Sequence, residues 1–196
     1  DINGHQFTNL KNSLGVIYVV RDPRSVVKSY ANHNQMTLDK ASNRMLEYGA
    51  TLGGIKNSTN DVDKIITHMN SWSLNYESWK VFKKFDRYLL IKYEDIIDNK
   101  EKVFLSILKF VHKLAKSKFS IDDKKLKNIL ETTTFEYMQN LERNKGFEES
   151  VNIQKNKKIV FFKYGPKANT PETLPTKIKE KLEASLKREM EELGYL

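Results

Sequence analysis

Gly15-Val-Ile-Tyr-Val-Val20-Arg21-Asp22-Pro23-Arg-Ser-Val-Val-Lys-Ser-Tyr30 is the stretch that decides the fold. Residues 16–20 are all apolar and mostly β-branched. Such a run reads as a buried strand of a parallel sheet, whose two faces are both covered. Gly15 bounds it on one side and Arg21 on the other. Asp22-Pro23 then starts a helix, because Asp is a favoured N-cap and Pro is favoured at the first helical position. Val26, Val27 and Tyr30 give that helix an apolar face. The unit is strand, tight turn, helix.

Outward from this unit, residues 42–52 carry a weak helical pattern. Residues 61–82 carry a stronger one, with Ile65, Met69, Trp72, Tyr76, Trp79 and Val81 at helical spacing. Tyr88-Leu-Leu-Ile-Lys-Tyr93 reads as a second buried strand, with Glu94 and Asp95 at its carboxyl end. Helices are expected over 103–111, 122–131 and 134–141. Residues 144–158 are polar and read as an exposed, irregular loop with a short apolar core, 159–162, after it. Gly165, Pro166, Pro171 and Pro175 mark an extended loop. A last helix is expected over 176–193, with the stripe Ile178, Leu182, Leu186, Met190, Leu193 and a stop at Gly194. Strands alternating with helices predict an α/β fold with a mainly parallel sheet, in a single domain over 1–196.

Composition narrows the functions. The chain has 196 residues, a formal net charge of +9 and no Cys. Without Cys there is no disulfide framework, thiolate metal site or thiol nucleophile, which favours a cytoplasmic setting. No apolar run approaches the roughly 20 residues of a membrane span. The basic excess fits either a Lys-rich solvated surface or a site for a polyanion. The cations are spread along the chain, and no basic helix, zinc finger or RNA-binding signature appears, so nucleic acid is not the expected ligand. Four His are too scattered for a metal site. The chain opens Asp1-Ile-Asn-Gly4 without Met, which fits an amino-terminally truncated polypeptide.

Arg21 leaves the carboxyl end of a strand, where ligands bind in open α/β sheets. Its planar fork matches phosphate oxygens, a Ser adds a neutral donor, and a helix amino terminus adds partial positive charge. Arg21 with Ser29 therefore reads as a phosphate clamp. The plain alternative pairs Arg21 with a surface carboxylate and leaves Ser29 facing water. Glu94 and Asp95 are not expected to act as a catalytic dyad, since adjacent strand residues point to opposite faces.

Residues 18–30 resemble the 3′-phosphate motif of sulfotransferases that use 3′-phosphoadenosine 5′-phosphosulfate (PAPS). That motif is a strand, then Arg-(Asn/Asp)-Pro, then a Ser eight residues after the Arg, a separation Arg21 and Ser29 share. The resemblance implies that both bind the 3′-phosphate. Residues 89–95 resemble the family strand ending in Tyr-Glu-Asp, which implies that Tyr93 lies near the adenine. Residues 132–138 resemble a Thr-Ser-Phe-x-x-Met helix start and imply adenine contacts for Thr133 and Phe135. Residues 160–165 resemble the Phe-x-Arg-Lys-Gly loop, with Lys163 in place of the Arg and Gly165 allowing close approach to a phosphate. Tyr164 stands where the family has a second cation, and Lys167 is a candidate substitute. The end of the chain, 190–196, also resembles bacterial sulfotransferase domains.

The family implies a P-loop-like three-layer fold: a central, mainly parallel sheet flanked by helices. It implies PAPS as cosubstrate, no metal, and a small-molecule or glycan acceptor with a hydroxyl or amine. It also implies a Gly-rich phosphosulfate loop with a Lys and a catalytic His in a Lys-Thr-His context. Neither occurs in residues 1–196, so both are expected upstream of Asp1. His5, in Asn3-Gly-His-Gln, is too close to Arg21 to be that His. Two alternatives remain: a nucleotide-binding P-loop relative with phosphoryl-transfer activity, and a non-catalytic module that binds anionic polymers.

Overall fold

The apolar run forms strand β1 (Val16–Val20), and helix α1 (Pro23–His33) follows at once. Asp22 caps α1, its carboxylate accepting from the Arg24 backbone N–H at 2.9 Å. The computed structural model describes residues 8–52, 67–147, 152–153, 157–158, 160–162, 165 and 170–196. Next come α2 (Leu38–Leu46), β2 (Thr51–Leu52), β3 (Thr67–His68) and α3 (Trp72–Lys80). A 3-10 turn leads to β4 (Tyr88–Lys92), which runs straight into α4 (Tyr93–Asp98). Then follow α5 (Lys100–Ala115), α6 (Asp123–Thr132), α7 (Phe135–Lys145), β5 (Asn152–Ile153), β6 (Lys157–Lys158), α8 (Thr176–Ser185) and α9 (Lys187–Glu192).

β1 and β4 pair in parallel, with Val16 opposite Tyr88 and Val20 opposite Lys92. Both strands therefore end at the same edge, where Arg21 and Tyr93 emerge side by side. Helices flank the pair. Val20 packs with Tyr76 of α3 and with Leu193, just past α9. Gly15 lets α5 reach the start of β1: a Cβ there would stand 2.3 Å from Leu114 Cδ1 and 3.1 Å from the Arg87 carbonyl oxygen. The larger core joins α1, α2, α8 and α9 through Val27, Ala31, Met45, Ile178, Leu182 and Met190. Each of the five residues in the carboxy-terminal stripe is buried. Burying one such side chain contributes roughly 1.5–3 kcal/mol.

Several expectations need correction. β1 is not buried on both faces: Ile17 is 40% exposed and Val19 53%. Among the described residues β1 pairs only with β4, and the alternate residues of β1 face outward. The helix expected over 61–82 starts only at Trp72. Residues 53–66 lie outside the described set. Met69 precedes the helix, because Asn70 has φ +63° and Ser71 then caps α3 by accepting from Leu74 N–H. Of the helix expected over 42–52 only the first half is helical: α2 (Leu38–Leu46) starts earlier, behind the cap Thr37, and ends before the extended Glu47, and Thr51–Leu52 is strand β2. Within 144–158, α7 extends to Lys145, and β5 and β6 form an antiparallel pair. The last helix is two, α8 and α9, broken at Leu186 (φ −117°, ψ 18°). Bonds from Leu186 N–H to Leu182 and from Met190 N–H to Leu186 carry the apolar stripe across the break.

Candidate functional site

The two strand ends make the centre of the site. Arg21 follows β1 directly, and Tyr93 is the first residue of α4, directly after β4. The guanidinium carbon of Arg21 sits 4.3 Å from the centroid of the Tyr93 ring. A cation over an aromatic face is held by the ring quadrupole, so the planar fork is oriented before any ligand arrives. Ser29 lies two turns along α1 and is exposed. Its hydroxyl donates to the Val26 carbonyl at 3.0 Å, whereas Ser25 is buried.

A second group of residues reaches α1 through a chain of aromatic contacts. His33 lies four residues after Ser29, so the two share one face of α1. Its ring meets Phe161 edge-on at 6.0 Å. Phe161 meets Phe162 at 5.1 Å, and Phe162 meets Phe135 at 6.0 Å. Phe135 opens α7, behind the cap Thr134. The 161–162 turn is fixed from α7 as well: Glu142 accepts from the N–H groups of Phe161 and Phe162 at 2.6 and 2.9 Å, and Gln139 donates to the Phe162 carbonyl. Thr133 ends α6. Its hydroxyl donates to the Ile129 carbonyl at 2.7 Å, and Lys100 Nζ donates to its backbone carbonyl at 2.8 Å. Lys163, Lys167 and His5 lie outside the described residues. A Cβ on Gly165 would meet nothing within 4 Å among the described residues.

Glu94 and Asp95 are not on opposite faces of a strand as expected. Both stand in the first turn of α4, not on a strand. Glu94 is engaged on both oxygens. Oε1 accepts from the Asp22 N–H at 3.4 Å, and Oε2 accepts from the Tyr195 hydroxyl at 3.0 Å. Arg24 closes the group. It donates to the Asp22 carboxylate at 2.6–3.1 Å, to Glu183 at 2.5 Å and to the Tyr195 carbonyl at 2.8 Å. The Asp22 bonds hold the Arg24 guanidinium charged even more firmly than usual, despite its burial. No pattern in the sequence marks the bonds of Arg24 to Glu183 and Tyr195 or of Tyr195 to Glu94, because these partners lie 101–171 residues apart.

The chain matches the family model described as "Sulfotransferase domain" over residues 5–194. It belongs to the sulfotransferase domain family. Among solved structures this sulfotransferase chain is similar to mouse sulfotransferase SULT7A1 complexed with PAP, at 18% identity and a TM-score of 0.55. The match covers 90% of this chain and 58% of the mouse chain, so this sulfotransferase domain spans less than two thirds of that relative's length. Comparison with curated proteins gives no match. The likeness shows the fold: an α/β, P-loop-like arrangement of helices around a parallel sheet.

Trp72 borders a cavity of about 210 Å³ between α1, α2 and α3, together with Tyr18, Val26, Tyr30 and Met45. Tyr76 is core, 2% exposed, with its hydroxyl donating to Glu192 at 3.1 Å. No helix among the described residues is long and apolar enough to cross a membrane.

Proposed function

We propose that residues 1–196 build the nucleotide side of a sulfotransferase that uses PAPS. The observation that carries this reading is the stacking of Arg21 on Tyr93 at 4.3 Å, at the shared edge of two parallel strands. Arg21 and Ser29 grip the 3′-phosphate. Tyr93, Thr133 and Phe135 bound the adenine. Lys163 and Gly165 are assigned to the phosphate as well. The ring contacts from His33 to Phe135 support one continuous surface for these groups. PAP, bound by the mouse relative, supports the choice of nucleotide.

In this reading an acceptor hydroxyl or amine attacks the sulfur in line. The sulfur–oxygen bond to the 5′-phosphate breaks, and adenosine 3′,5′-bisphosphate leaves with the bonding pair. A His takes the acceptor's proton and a Lys stabilises charge on the bridging oxygen. Neither group is assigned among residues 1–196. Residues 1–196 then contribute positioning and electrostatics, which dominate such transfers.

The test is a calorimetric titration of the chain with adenosine 3′,5′-bisphosphate, AMP and ATP. The bisphosphate should bind tightest, and Arg21→Glu should abolish that preference. Tighter ATP binding would instead indicate a phosphoryl-transfer relative. Indifference to Arg21→Glu would indicate a general anion-binding surface.

A further inference from the structure

The last turn of the chain is folded back onto the strand ends. Gly194 has φ +67° and sits at the left-handed position after α9. Its N–H bonds the Glu191 carbonyl at 3.0 Å, and the Tyr195 N–H bonds the Met190 carbonyl at 2.8 Å. That pair of bonds is a Schellman motif, and it reverses the chain within two residues. The reversal aims both polar groups of Tyr195 at the site. Its carbonyl accepts from Arg24, and its hydroxyl donates to Glu94. The ring lies under Lys92, whose Nζ is 5.0 Å from the centroid.

These bonds close a cycle. The Asp22 N–H donates to Glu94, Glu94 accepts from Tyr195, the Tyr195 carbonyl accepts from Arg24, and Arg24 donates to the Asp22 carboxylate. Two members of the cycle are chain neighbours of the stacked pair: Asp22 follows Arg21, and Glu94 follows Tyr93. β1 and β4 pair only along their own length, so the turns beyond them need another tie. The cycle supplies that tie at 2.6–3.4 Å per bond.

We infer that Tyr195 is a positioning residue for the 3′-phosphate subsite, acting through Glu94 and Asp22 on the Arg21–Tyr93 pair. This rests on the nucleotide reading above. The Tyr195 hydroxyl fixes the Glu94 carboxylate. Glu94 then holds the Asp22 amide, and the Asp22 amide sets the direction in which Arg21 leaves β1. The tail touches no ligand in this scheme; its effect is on geometry.

The test compares Tyr195→Phe with the unaltered chain by titration with adenosine 3′,5′-bisphosphate and with AMP, which lacks the 3′-phosphate. Tyr195→Phe keeps the ring, the carbonyl bond to Arg24 and the Schellman turn. A hydrogen bond to a charged group contributes enough that its loss should weaken bisphosphate binding by about tenfold. AMP binding should stay within about twofold. A merely structural role would weaken both ligands equally or neither, and either result overturns the inference. Glu94→Gln is the second variant. It keeps an acceptor for one partner and removes the other, so it should reproduce the selective loss. The double variant should lose little more than either single one, because both break the same path. Independent, additive losses would overturn the path through Glu94. If the unaltered chain binds neither nucleotide, the functional reading itself fails, a result distinct from equal affinities in the variants.

Discussion

The Arg21 guanidinium carbon lies over the Tyr93 ring, 4.3 Å from its centroid, although the two residues belong to different strand–helix units. The contact exists because β1 and β4 run parallel and stop at the same edge. Tyr93→Phe preserves the aromatic face and should leave binding of adenosine 3′,5′-bisphosphate within about twofold. Tyr93→Ala removes it and should cost on the order of 1 kcal/mol, about fivefold in Kd. Calorimetric titration of both variants checks this.

Arg24→Ala should be among the most damaging single changes outside the apolar core. The guanidinium is buried and joins Asp22, Glu183 and the Tyr195 carbonyl. Removing it leaves the nearly buried Asp22 carboxylate without its cation, which costs about 3–5 kcal/mol in comparable buried pairs. Urea unfolding should show a lower midpoint at an unchanged slope.

Tyr88→Phe should act in the opposite direction. The Tyr88 hydroxyl is buried with no hydrogen-bond partner among the described residues. Deleting an unsatisfied polar group removes its desolvation penalty, so the variant should gain about 1 kcal/mol. The ring itself stays stacked on Tyr18. Thermal melting gives the sign directly.

Stability should fall on the alkaline side. Burial pushes the Tyr18 phenol up to about 12, and also raises Tyr76, Tyr88 and Tyr195 above the ordinary range. The unfolded chain loses these protons near pH 10, before the folded chain does. Their contribution is therefore intact below about pH 10 and is lost as the pH rises toward the folded values. Melting temperatures across this window, with tyrosinate absorbance followed in parallel, should fall together with ionisation.

The strand–turn–helix unit and the carboxy-terminal apolar stripe were legible in the sequence because both rest on short-range signals. Residues 16–20 alternate with nothing polar, Asp22-Pro23 is a local start signal, and Ile178 to Leu193 repeat at helical spacing. The beginning of α3 was obscured because Ile65 and Met69 continue its period upstream, while the left-handed Asn70 and the cap at Ser71 end it. The Asp22–Glu94–Tyr195–Arg24 cycle could not be read at all. Three of its four bonds span 72, 101 and 171 residues, and no spacing rule reaches that far. The aromatic path from His33 to Phe135 was hidden for the same reason. Phe135 was expected on resemblance alone, and the packing that holds it comes from Phe162.

The outward face of β1 has a colloidal consequence. Val19 and Ile17 stand 53% and 40% exposed on a strand that pairs along one edge only among the described residues. Such a strand is a template for joining another copy. Mutual repulsion from the +9 charge keeps copies apart at low ionic strength. Salt screens that repulsion over about 8 Å at physiological strength and leaves the apolar contact intact. A clear solution of these residues should therefore cloud as salt is added, and Val19→Lys should keep it clear.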